Sequence, residues 1–135
     1  MNPYFIFYNR NPINNYGNDC VIRSISLLLD KTWYEVYDDI TALGRRMCDM
    51  PSSNILRGQY LFDNGYRKQY SNTDHFNRYD VNCFCHLHPL GKYLLQLKDH
   101  VVAVIDGHFY DTMDIGNNYP ITYWYKGDDN YGRRI

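Results

Sequence analysis

The sequence predicts an α+β fold in which N-terminal helices are followed by an antiparallel β-sheet. Two observations carry this. In the first half, apolar residues recur at spacings of three and four, the period of a helix buried on one face. In the second half, short runs rich in Val, Ile, Tyr and Phe are separated by Gly, Asn and Asp. A third observation concerns organisation. No internal repeat and no linker divides the chain, so residues 1–135 form a single domain, long enough to bury a core.

Tyr4 to Tyr8 is a short aromatic run, an edge strand or a strap across the sheet. Asn9 to Asn18 contains Pro12, Gly17 and several asparagines and is loop. Helix one follows from about Asp19 to Leu29, with Val21, Ile22, Ile25, Leu28 and Leu29 on one face. Asn18 or Asp19 serves as N-cap by accepting from the first-turn N–H groups. Thr32-Trp33-Tyr34-Glu35 is a capping box that starts helix two, which ends near Gly44. Trp33, Val36 and Ile40 should meet Val21, Ile25 and Leu28 across the short connection. Helix three runs from Asn54 to Phe62, stopped by Asn64-Gly65. Residues 66–79 read as loop with one short strand at Arg67 to Tyr70, forming a tyrosine-rich rim. A short fourth helix spans Asp80 to Leu87. Strands are expected at Tyr93 to Leu97, His100 to Ile105, Phe109 to Thr112 and Ile121 to Tyr125. The tail, Gly127 to Ile135, is polar and loose.

A net charge of -1 supplies no basic field, so neither nucleic acid nor an anionic membrane is an expected partner. No apolar run approaches a membrane span, and the N-terminus lacks a signal-peptide core, so the expected location is the cytoplasm. The four cysteines, Cys20, Cys48, Cys83 and Cys85, show no framework spacing and are expected as thiols.

Cys20 stands where the polar loop turns into helix one. There the partial positive charge of a helix N-terminus favours thiolate over thiol, and a histidine within reach would make it a nucleophile. The bland alternative is a small residue packed beneath the loop. Of the five histidines, His100 opens the most apolar strand, His-Val-Val-Ala-Val-Ile, which should lie centrally, buried on both faces. Asp106-Gly107 is the strongest hairpin signal in the chain. With those two residues as the turn, Ile105 pairs with His108, Val104 with Phe109, Val102 with Asp111 and His100 with Met113. His100 and Asp111 then share a face as diagonal neighbours, roughly 7–8 Å apart at Cα. A slip of one residue, or a strand ending at Thr112, would make Asp114 the carboxylate instead.

Cysteine at a helix start, histidine at a strand start about eighty residues later and a carboxylate on the next strand follow the papain-like chain order. The sequence resembles the papain-like cysteine peptidase superfamily, in the manner of the bacteriocin-leader-processing peptidases. Asp19-Cys20 matches their Asp-Cys, while Asn14 stands where those families carry Gln. Asp19 to Arg23, Gly91 to Leu95, His100 to Gly107 and Tyr110 to Thr112 also resemble small uncharacterised phage and prophage proteins. The resemblance implies a papain-like core with Cys20 as nucleophile, His100 as general base and acid, and Asp111 as orienting carboxylate. It implies an oxyanion hole from the Cys20 N–H and the Asn14 side chain, with Asn15 and Asn18 as alternatives. The implied activity is hydrolysis of an amide or isopeptide bond, or a related acyl transfer. The partner would be a peptide or protein substrate, in the host cytosol if the chain is phage-encoded. The alternative is an inert papain-like binding protein that inhibits or sequesters a host factor.

Cys83-Phe84-Cys85-His86-Leu87-His88 offers four metal-ligand types in six residues. One short helix cannot converge them tetrahedrally, so no metal is expected there. No Gly-rich phosphate loop is present, and no cofactor is expected.

Overall fold

The computed structural model describes residues 1–69 and 79–127. Among them are four helices and one mixed sheet of six strands. The strands are β1 (Phe5–Phe7), β2 (Tyr66–Gln69), β3 (Lys92–Leu97), β4 (His100–Ile105), β5 (His108–Asp111) and β6 (Thr122–Lys126). The helices are α1 (Cys20–Leu29), α2 (Trp33–Met47), α3 (Asn54–Asp63) and α4 (Val81–Leu87). The sheet order is β1-β5-β4-β3-β6-β2.

The expected all-antiparallel sheet is corrected in one place. β1 pairs parallel with β5, Phe5 opposite Phe109 and Phe7 opposite Asp111. The reason is connectivity: β1 precedes three helices, and β5 is reached only after the chain has crossed the sheet. For the same reason strands and helices are interleaved rather than segregated. Residues 70–78 of the expected tyrosine-rich rim, and the tail beyond Gly127, lie outside the described residues.

β4 lies between β5 and β3, and Val101, Val102, Ala103 and Val104 are all buried. Its two faces enter different cores. Val101 and Ala103 pack with Ile25, Leu28, Val36, Ile40, Leu56 and Leu61 beneath α1, α2 and α3. Val102 and Val104 pack with Val81, Phe84, Cys85, Leu95 and Phe109 on the α4 side. A strand apolar at consecutive positions is what a sheet covered on both faces demands.

Local chemistry explains the ends. Thr32 Oγ1 accepts from the Glu35 N–H at 3.0 Å, and Glu35 accepts from the Thr32 N–H at 2.9 Å, closing the capping box. The β4–β5 turn carries Asp106 at φ 49° and Gly107 at φ 80°, the left-handed pair that a two-residue hairpin requires. Its register is Ile105 to His108, Val104 to Phe109 and Ala103 to Tyr110. β5 ends at Asp111 rather than Thr112, so the anticipated His100–Met113 pair does not form. Trp33 departs from the anticipated helix–helix contact. It stacks on Tyr37 and donates from Nε1 to Asp19 at 2.9 Å.

Candidate active site

The N-terminus of α1 meets the sheet at the end where β4 begins. α1 packs along β4, and Ser24 Oγ donates to the Val101 carbonyl at 3.4 Å. That packing sets Cys20 against His100. The two residues line the same clefts, and the His100 imidazole and the Val101 backbone both act on the sulfur electrostatically. His100 Nε2 donates to Asp111 Oδ2 at 2.5 Å. With Nε2 engaged, Nδ1 is the nitrogen left for the thiol. Cys20, His100 and Asp111 thus lie in sequence, with His100 bonded to Asp111 and coupled electrostatically to Cys20.

Asp111 is 2% exposed. Its second oxygen accepts from the Thr112 N–H at 2.7 Å and from Arg23 Nη1 at 3.3 Å. Burial pushes its carboxyl up, but the bond to His100, the imidazolium charge, the Thr112 N–H and Arg23 hold it below the usual carboxylate range. Asp111 is therefore an anion at neutral pH. Asp114 faces elsewhere, accepting from the Gly116 N–H at 2.8 Å and from the Asn2 amide.

His100 is pushed up from 6.5 to about 9, first by its bond to Asp111 and then by its bond to Cys20, with burial opposing. For Cys20, burial raises the thiol, but the bonds from His100 and the Val101 N–H and the charges of His100 and Arg23 outweigh it. The net direction is downward. Both shifts describe one coupling that favours thiolate and imidazolium together.

The helix start differs from expectation in an instructive way. Asp19 occupies the N-cap position of α1, but its side chain caps nothing. Oδ2 accepts from Asn11 Nδ2 at 3.0 Å and from Trp33, while Oδ1 accepts from Arg23 Nε at 2.8 Å. The Asp19 side chain thus leaves the first-turn N–H groups beside Cys20 to another acceptor. Arg23 bridges Asp19 and Asp111, tying the helix start to the end of β5.

Asn14 does not join the others. Asn11, 8% exposed, gathers the loop by accepting from the N–H groups of Ile13 and Asn15. Asn14 is left exposed at φ 55°, outside the clefts that meet at Cys20. Asn15 also lies away from the sulfur. Asn18 lines a cleft of about 590 Å³ together with Cys20, His100, Thr112, Met113 and Ile115. Of the three asparagines Asn14, Asn15 and Asn18, it is the one that lines this cleft, which Asn118 also lines.

Sequence reading missed Arg23 and Asn11 as organisers. An Asp-Arg pair four apart on a helix was a legible signal for the first bridge. Nothing local announced the reach of Arg23 to Asp111. The cysteine and histidine cluster on α4 is absorbed by structure. Cys85 is buried, and burial pushes its thiol up to about 12. His88 stacks on Phe84 and donates from Nδ1 to its carbonyl at 2.9 Å. His86 Nδ1 lies 3.0 Å from the Tyr4 hydroxyl.

No protein-family model, curated protein or solved structure matches this chain. No helix among the described residues is long and apolar enough to cross a membrane.

Proposed function

We propose that this chain is a papain-like thiol enzyme, a phage-type cysteine peptidase or a related acyl-transfer enzyme acting in the cytoplasm on an amide or isopeptide bond. The observation that carries the reading is the cleft that Cys20 shares with His100, whose imidazole is bonded to buried Asp111.

The roles follow from geometry. The Cys20 thiolate attacks the acyl carbon. Negative charge then develops on the carbonyl oxygen, beside the first-turn N–H groups of α1 and the Asn18 amide. His100 holds the proton on the nitrogen facing the sulfur and delivers it to the leaving amine. Asp111 keeps the imidazole in that orientation and stabilises its charge. Water, activated by the same imidazole, resolves the thioester. An amine in place of water makes the reaction a transfer.

The competing reading is an inert binding protein on the same fold, possible only if the thiol is not activated. The placement of Asn14 away from Cys20 favours it. Iodoacetamide labelling at about pH 6 with peptide mapping separates the two. Alkylation of Cys20 well ahead of exposed Cys48, and lost in His100→Ala, is the result expected of the enzyme. Labelling of Cys20 no faster than Cys48 would overturn it.

A further inference from the structure

A second, smaller cleft of about 240 Å³ reaches Cys20 and His100 from the side of α3. Its distinctive group is Arg57. The guanidinium is half-buried and lines this cleft together with Cys20 and His100. Nη2 donates to Asn54 Oδ1 at 2.8 Å and to Gln96 Oε1 at 2.6 Å. Gln96 in turn donates to the carbonyls of Leu97 at 2.6 Å and His100 at 3.3 Å. Arg57 is thereby locked to the turn that carries the histidine.

Two amides hold this cation, and among the described residues no carboxylate lies within ion-pair distance of it. A guanidinium has five N–H donors. Nη2 is occupied, while Nη1 and Nε have no hydrogen-bond partner among the described residues, and Arg57 lines the cleft. A half-buried arginine without a counter-ion lacks part of the compensation that desolvation requires. The groove continues past Arg57 to Lys68 and Lys98, and Asp99, the acidic residue of its wall, also lines the smaller cleft without pairing with Arg57. The cation is fixed, incompletely paired and next to the nucleophile.

We propose that Arg57 is a specificity residue that receives a carboxylate of the substrate beside the scissile acyl group. This rests on Cys20 being the reactive thiol. The carboxylate comes from an acidic side chain or from a free C-terminus. Either accepts a charge-assisted hydrogen bond from Nη1 or Nε, which neutral amides cannot match.

The test compares two reagents that differ only in charge, iodoacetate and iodoacetamide, on the full chain. The ratio of their alkylation rates at Cys20 is read against the same ratio at Cys48. The ratio at Cys20 should exceed that at Cys48 by about tenfold and collapse in Arg57→Gln, where any change in the thiol itself acts on both reagents alike and cancels from the ratio. Arg57→Lys should keep part of the preference, which covers the case in which Arg57→Gln does not fold. Equal ratios at the two cysteines in the unaltered chain would overturn the proposal, as would a preference that survives Arg57→Gln and so belongs to His100. A slow iodoacetamide reaction at Cys20 would instead overturn the thiol-enzyme reading. Protection of Cys20 from iodoacetamide distinguishes the two sources. An acetylated, amidated tripeptide carrying Glu should outdo its Gln counterpart if the side chain is read, and a free-acid peptide should outdo its amide if the C-terminus is read. No advantage in either pair at millimolar peptide would also count against Arg57 as a carboxylate receptor.

Discussion

Asp111→Asn isolates the electrostatic role of the carboxylate. The substitution keeps size and shape. One oxygen still accepts from the Thr112 N–H and Arg23, as Oδ1 does now. The other position becomes an NH₂ that donates to His100 Nε2, which moves the ring proton to the nitrogen facing Cys20 in the neutral imidazole. That tautomer cannot take a proton from the thiol. The displacement of His100 from 6.5 to about 9 corresponds to roughly 3 kcal/mol favouring imidazolium, and Asp111 is its largest source. Losing most of it should return the thiol toward its ordinary range and slow alkylation of Cys20 at about pH 6 by about 30- to 100-fold. Cys48, exposed and in the same sample, serves as the internal reference. The sequence alone implied little change in stability. Burial of Asp111 at 2% exposure revises that to a loss of about 1–3 kcal/mol, measured by urea unfolding. An unchanged alkylation rate in a folded Asp111→Asn variant would refute the coupling of Asp111 through His100 to the sulfur.

Asp114→Asn should leave the Cys20 alkylation rate within about twofold, since among the described residues Asp114 hydrogen-bonds to Asn2 and Gly116 and not to His100; a larger fall than in Asp111→Asn would reverse the assignment of the two carboxylates. Ile25→Asp should unfold the domain, because Ile25 is 0% exposed and an unpaired charge would enter the core beneath α1; a soluble variant with a cooperative thermal transition would contradict that. The pH dependence of stability is cleanest in Cys20→Ala, where His100 keeps Asp111 but loses the coupled thiol. A histidine raised in the folded state stabilises fully below its unfolded value of 6.5 and loses that contribution as pH rises through its folded value, about 9 when the thiol is present. The melting temperature of Cys20→Ala should therefore fall across that window more steeply than that of Cys20→Ala/His100→Gln, and parallel curves would show that the His100–Asp111 pair does not stabilise the fold.

What the sequence determined by itself was local. The Thr32–Glu35 capping box, the Asp80 and Ser53 helix starts and the Asp106-Gly107 turn each satisfy backbone groups within a few residues, so the pattern needs no knowledge of the rest of the chain. Turn parity then carried the reading one step further. An even hairpin loop puts Asp111 on the face of His100 whatever packs around it. Tertiary structure decided everything that depends on where distant backbones converge. Asn14, Asn15 and Asn18 are chemically alike, and only Asn11 folding the loop onto Asp19 leaves Asn18 in the cleft. Trp33 has the spacing of a core residue, but an indole N–H near the partly buried Asp19 carboxylate gains a charge-assisted bond that an apolar contact lacks. Arg23 and Arg57 look like ordinary charges on amphipathic helices. Their partners, Asp111 and Gln96, lie on strands far along the chain, and no periodicity within a helix encodes that meeting.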